Sequence, residues 1–267
     1  MGMYHARPTV ADLRARKAAG DKLTMLFVET EDEARAAAEA GIDMLSVVAP
    51  LWTPAMRAAA GDCFVQVGLL YGALCTGEDY LRAAHAAMQT GADCVYCAAS
   101  LDIQKLLCDN AIPVVAHVGL IPSQCTWTGG FRAVGKTAAG ACAVWDHVKR
   151  LEEIGCFGAE LEVVPDRVAR MIAENTPLLL LGMGAGAHAD AQYLFAEDVL
   201  GHGVNKRPRH AKTYRNFAAE FERLQRERVA AFGEFIADVK SGDYPGPEHA
   251  VSISDEEFES FLSELGR

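Results

Sequence analysis

Short apolar runs alternate with alanine-rich amphipathic segments along most of this chain, and no other feature restricts its fold so strongly. The run 23–28 reads as a strand, and 31–40, closed by Gly41, reads as a helix with a glycine stop. Further strands are predicted over 44–48, 64–69, 93–97, 113–118, 158–163 and 177–181, with an eighth near 191–194. Helices are predicted between them over 78–90, 101–108, 137–154 and 165–174, and near the C-terminus over 213–239 and 255–265. A helix between two strands returns the chain to the end from which it started, so consecutive strands pair in parallel. This many units imply closure, and 267 residues suit one barrel of roughly 250. The predicted fold class is α/β: a (β/α)8 TIM barrel with additional C-terminal helices, as a single domain over 1–267.

Charge and hydropathy then exclude several function classes. A formal net charge of -11 argues against a nucleic-acid footprint, which needs a basic patch or stripe. Nowhere do about eighteen uncharged apolar residues run together, and residues 1–16 offer no signal-peptide core, so no membrane span and a cytoplasmic location are expected. The eight cysteines are scattered through apolar patterns in a chain too large to need staples, and most are expected to be reduced, buried thiols, Cys75 among them. Cys94 and Cys97 are three apart in a strand, face opposite sides and do not jointly grip a metal. His85 and His147 are expected on helices as surface or packing residues.

The middle and end of the chain carry a dense set of motifs: His117-Val-Gly-Leu-Ile-Pro-Ser-Gln124, Gly129-Gly-Phe-Arg-Ala-Val-Gly-Lys136, Glu160-Leu-Glu-Val-Val-Pro165 and Gly182-Met-Gly-Ala-Gly186. Together they resemble ketopantoate hydroxymethyltransferase, also called 3-methyl-2-oxobutanoate hydroxymethyltransferase. The similarity begins near Pro8-Thr9-Val10-Ala11-Asp12-Leu13 and reaches Ser241-Gly242-Asp243-Tyr244-Pro245-Gly246-Pro247-Glu248-His249, covering nearly the whole chain. The wider superfamily of that barrel includes phosphoenolpyruvate mutase and isocitrate lyase, which make and break bonds beside a carbonyl.

The resemblance also exposes a mismatch. In that family carboxylates ending the second and third strands and one on the fourth surround a magnesium ion that chelates the 2-oxo acid. The matching positions here are Ala49, Gly68 and Ala98; Pro50 replaces a serine and Tyr96 a lysine. Magnesium demands oxygen ligands, and alanine and glycine side chains supply none. The resemblance therefore implies a barrel without the family's metal site, and no metal or other cofactor is expected.

Barrel active sites lie at the C-terminal strand ends, which selects the candidates. By resemblance Glu162 is the general base that takes a proton from carbon 3 of the 2-oxo acid, and His117 ends the fifth strand. Tyr96, in place of the lost lysine, is expected to donate a hydrogen bond to a developing oxyanion, with backbone amides near Gly68 or Ala99 contributing. Glu160 shares a strand face with Glu162 and is either an orienting acid or a barrel-interior residue. Substrate contacts are expected from Glu160, Gly68, Ser100, Gly184, His188 and Arg132. His188 and Asp190 are placed in the loop after the seventh strand, and the glycines at 182, 184 and 186 are read as allowing close backbone approach to substrate. Arg132 and Lys136 either neutralise a carboxylate or serve as interface charges, and the run Lys206-Arg207-Pro208-Arg209-His210 is read as a solvated charge run.

Two function classes follow. The first is an enzyme making or breaking a bond beside a carbonyl in a small oxo or hydroxy carboxylic acid, by aldol, retro-aldol or related carbon–carbon chemistry without the family's magnesium. The second is a non-catalytic homologue that binds a metabolite or supports another subunit. Family members assemble as decamers, so the resemblance implies a homo-oligomer.

Overall fold

A computed structural model of the chain describes residues 7–203 and 207–267. They form two compact units, divided between Arg215 and Asn216. In the first, eight parallel strands close into a barrel in sequence order: β1 Leu23–Phe27, β2 Met44–Val48, β3 Phe64–Gly68, β4 Cys94–Tyr96, β5 Val114–Gly119, β6 Gly158–Glu162, β7 Leu179–Met183 and β8 Ala191–Phe195. The seam between β1 and β8 sets Leu23 opposite Ala191 and Phe27 opposite Phe195. The fold is thus the expected (β/α)8 barrel.

Helices α1 Val10–Ala19, α2 Glu31–Glu39, α3 Pro54–Ala59, α4 Gly77–Gln89, α5 Leu101–Asp109, α6 Cys125–Thr128, α7 Ala138–Glu153, α8 Asp166–Glu174 and α9 Ala196–Leu200 accompany the strands. One local device starts several of them. Thr9, Thr30 and Thr76 each accept a hydrogen bond from the amide three residues on, while the acidic residue there, Asp12, Glu33 or Asp79, answers the cap's own amide. This capping box satisfies two amides that the first turn leaves without partners.

Alternation along each strand builds two cores. Met25, Met44, Phe64, Cys94, Val115, Leu179, Leu181 and Tyr193 fill the barrel, while Leu45, Val47, Val65, Val67, Val95, Val118, Leu161 and Leu180 face the helices. Cys94 points in and Cys97 lies in the outer core, as their spacing predicts. α1, which the apolar periodicity did not reveal, adds Leu13 to the interior core with Leu23 and Met25. Lys17 of the same helix reaches Asp190 Oδ2 at 2.7 Å, and Asp190 also accepts from the Leu180 amide.

The expectation of mostly buried cysteines needs correction. Cys63, Cys94, Cys97 and Cys156 are buried, Cys108 and Cys125 half-buried, and Cys75 and Cys142 exposed. Cys75 lies in the turn before α4, where no apolar layer covers it. In the second unit α10 Phe217–Ser241 begins at an Asn216 cap and ends at Gly242 with φ of 86°, followed by α11 Asp255–Glu264. Within it the rings of Phe235 and Tyr244 meet edge-on, their centroids 5.5 Å apart.

Candidate active site

Parallel pairing of β5 with β6 places His117 opposite Glu160 and Gly119 opposite Glu162. All three functional side chains point into the barrel, so the imidazole lies between two carboxylates. His117 Nδ1 is 3.3 Å from Glu160 Oε2, and Nε2 is 3.1 Å from Glu162 Oε2. The Tyr96 hydroxyl is 2.8 Å from Nδ1, and the Leu120 carbonyl accepts from Nε2 at 2.8 Å. Both ring nitrogens therefore face acceptors, which calls for a proton on each.

Electrostatics agrees with that proton count. Burial of His117, only 2% exposed, favours the neutral ring, but hydrogen bonds and charges from Glu160 and Glu162 together outweigh it and raise the pKa to about 9. Free histidine titrates near 6.5, so the stabilisation is fully present below that pH and is lost as pH rises through 9. Its size is about 3 kcal/mol. We expect chemical unfolding to show this loss between pH 6.5 and 9.5, and the slope to vanish in His117→Asn; an unchanged slope in the variant would rule out His117 as its source.

Two backbone features fix this geometry. Gly119 has φ of 87°, and any side chain there would collide with the Glu162 carbonyl, which accepts from the Leu120 amide at 2.9 Å. The close approach brings the Leu120 carbonyl under His117. Val163, next to Glu162, has φ of 49°, a conformation disfavoured for a β-branched residue. It is held by its amide to the Met183 carbonyl at 2.8 Å and by the Val134 amide to its own carbonyl at 3.1 Å. Strain of this kind persists where the surroundings over-determine the backbone.

Glu160 is anchored from the far side. Gln66 Nε2 donates to Glu160 Oε1 at 2.8 Å and to Ser46 Oγ at 3.2 Å, and the Tyr193 hydroxyl also bonds Ser46. Sequence reasoning missed Ser46, Gln66 and Tyr193. A signal existed: strands buried on both faces are nearly continuous apolar runs, so Ser46 and Gln66 stand out within β2 and β3. Tyr96, β4's last residue, lies over Gly68; a Cβ at position 68 would sit 3.7 Å from its ring. Burial and then Glu160 push the Tyr96 phenol up, so it stays a neutral donor.

Glu162, His117, Tyr96, Glu160 and Gly68 thus come together at the barrel's C-terminal end. Four other predicted contacts do not join them. Ser100 is the cap of α5, accepting from the Ile103 amide. Arg132 lies exposed on the loop after α6. His188 Nε2 is 3.8 Å from Asp166, while its carbonyl accepts from Lys22. Gly184 is approached by the His210 ring and Gly186 by the Asp166 carboxylate, so protein side chains occupy the space these glycines leave. The amides expected to help are also engaged, Leu69 with the Tyr96 carbonyl and Ala99 with the Cys97 sulfur. In the basic run, Arg207 bonds Thr213 and Lys206 lies outside the described residues.

A cleft of about 1090 Å³ opens between the loops after β5, β6 and β7, lined by Lys136, Val163, Pro165, Arg167, Gly184 and Arg209. None of Tyr96, His117, Glu160 or Glu162 lines it, so chemistry rather than volume locates the candidate site. At the ends of β2, β3 and β4, Ala49, Gly68 and Ala98 carry no side-chain oxygen. Among the described residues no group of three or more His, Cys, Asp or Glu is arranged to hold a metal ion. Nor is any described helix long and apolar enough to cross a membrane.

The family model described as ketopantoate hydroxymethyltransferase matches residues 51–247. The 3-methyl-2-oxobutanoate hydroxymethyltransferase of Deinococcus radiodurans is 33% identical over 76% of this chain and 71% of its own length. Another 3-methyl-2-oxobutanoate hydroxymethyltransferase, from Methylibium petroleiphilum, is 28% identical over 96% of this chain and 92% of its own. Among solved structures, phosphoenolpyruvate phosphomutase from Streptomyces platensis aligns with a TM-score of 0.51 at 12% identity, covering 97% of this chain and all of that one. A 2,3-dimethylmalate lyase aligns with a TM-score of 0.50 at 15% identity, covering 99% of each. These two likenesses concern the fold.

Proposed function

Because the chain belongs to the ketopantoate hydroxymethyltransferase family, we propose that it makes or breaks a carbon–carbon bond beside the carbonyl of a small 2-oxo or 3-hydroxy acid, without the family's magnesium. The observation that carries this reading is the buried imidazolium of His117, held between Glu160, Glu162 and Tyr96 beside strand ends that lack oxygen donors. Ala49, Gly68 and Ala98 do not fit a hard cation that requires oxygen ligands, and no step is routed through one.

The residues present divide the work as follows. Glu162 Oε2 is engaged by His117, whereas Oε1 takes no hydrogen bond from the described residues and is left for substrate. It accepts the proton from the carbon beside the carbonyl, or returns it in the reverse direction. The developing oxyanion needs a donor. Tyr96 supplies one: beside a protonated Nδ1 its oxygen accepts from His117, and its own hydrogen is free to be donated. A hydroxyl polarised in this way by a cation is a stronger donor than a free phenol, and it needs no reorganisation as charge develops. Glu160 and Gln66 hold the imidazolium in place behind it.

The test is a screen of small 2-oxo and 3-hydroxy acids for turnover and thermal stabilisation, with magnesium or with a chelator. We expect the best acid to turn over equally in both conditions. Tyr96→Phe should lower kcat by about 10²- to 10³-fold while the fold is kept. Turnover that needs magnesium, or tight calorimetric magnesium binding, would sink the metal-free reading. Absence of any stabilising acid would favour a scaffold homologue. We also propose assembly with copies of itself, which analytical ultracentrifugation checks.

A further inference from the structure

On the opposite side of β5 from the active site cluster lies a second pair of reactive groups. Cys108 lies in the last turn of α5 and Cys156 in the turn leading into β6, and their sulfurs are 4.0 Å apart although the residues are 48 positions apart in sequence. The contact depends on the turn. Gly155 has φ of 95°, open to glycine, and a Cβ built on it would be 3.5 Å from Cys108 Cβ, so the backbone lies directly over the cysteine. The two thiols differ in access: Cys108 is half-buried, and Cys156 is 4% exposed.

We propose that Cys108 and Cys156 form a peroxide-oxidisable pair, with Cys108 the attacking thiol and Cys156 the resolving one. The Cys108 thiolate attacks one oxygen of a hydroperoxide; the O–O bond breaks, the leaving hydroxide or alkoxide takes up a proton equivalent to the one the thiol released, and Cys108 becomes a sulfenic acid. Cys156 sulfur then attacks Cys108 sulfur, its proton joins the departing hydroxyl as water, and the S–S bond forms. Two thiols are oxidised by two electrons and the peroxide takes up both. A disulfide needs its sulfurs about 2.05 Å apart, so the 4.0 Å contact has to close by about 2 Å.

The surroundings assign the roles. Contact with the Cys156 sulfur lowers the Cys108 pKa, and burial and Asp109 oppose it. The same contact followed by burial raises Cys156. The more exposed sulfur is thus the one biased toward thiolate, which is the nucleophilic form. Cys156 Sγ also lies 3.9 Å from Gln104 Oε1, a buried acceptor that competes with Cys108 for its single S–H. The bond would tie α5 to the entry of β6, the strand that carries Glu160 and Glu162, and would constrain the unfolded chain.

The full-length protein carrying Cys75→Ser and Cys142→Ser, which removes the two exposed thiols, is titrated with hydrogen peroxide. We expect loss of two thiols per chain, a Cys108–Cys156 linked peptide by mass spectrometry, reversal by dithiothreitol and a rise in Tm of about 5 °C or more. Adding Cys156→Ser should leave a sulfenic acid at Cys108 that dimedone traps, and adding Cys108→Ser should leave Cys156 unoxidised. Either a link through Cys97 or dimedone labelling at Cys156 with none at Cys108 overturns the assignment. Over-oxidation of Cys108 with no linked peptide overturns the pair itself.

Discussion

Glu162→Gln is expected to lower kcat on the best acid by about 10²- to 10⁴-fold, the range over which a positioned base acts. The amide keeps the shape of the carboxylate and removes its ability to take a proton. Ligand affinity should stay within a few-fold, because Glu162 meets substrate through a single oxygen while the Tyr96 donor remains. A loss confined to kcat separates proton transfer from binding. The variant also removes one of the two carboxylates that hold His117 protonated, so the histidine's titration, followed by NMR, should move down from about 9. Full turnover by Glu162→Gln would transfer the role of base to Glu160.

His117→Ala should destabilise the protein by about 3 to 5 kcal/mol, the cost of stranding buried charge after its partner is removed. Glu160 is only 5% exposed, and without the imidazolium it keeps one donor, Gln66 Nε2 at 2.8 Å. The Leu120 carbonyl and the Tyr96 oxygen each lose a donor as well. Denaturant midpoints measure the loss, and a second variant separates charge from cavity. Adding Glu160→Gln should restore part of the stability, because an amide does not need a cation. Equal losses in the single and double variants would mean that the cavity alone matters and that the carboxylate–imidazolium contacts contribute nothing.

Much of this was legible in the chain before any coordinates. Period-two patterning in 113–118 and 158–163 put His117, Glu160 and Glu162 on one strand face each, and the helix–strand beat required a parallel barrel whose strand ends hold the chemistry. The absence of carboxylates at Ala49, Gly68 and Ala98 was equally plain. For Ser100, Arg132 and His188 the chain was less informative, because a position near a strand end does not say which way a side chain turns. Ser100 is drawn into an α5 cap, Arg132 projects outward, and His188 is turned to Asp166.

The sequence by itself determined the barrel, the faces of its strands and the residue types available at their ends, because these follow from local periodicity and from the parallel pairing it enforces. Only the tertiary structure decided that His117 lies between two carboxylates and under a tyrosine, and therefore that it is a cation. Charge state depends on burial and on distances of about 3 Å between an imidazole and carboxylates more than forty positions away in sequence, which no local pattern encodes. The backbone at Val163 belongs to the same class: its left-handed φ is imposed by hydrogen bonds to Met183 and Val134, against the preference of the residue itself.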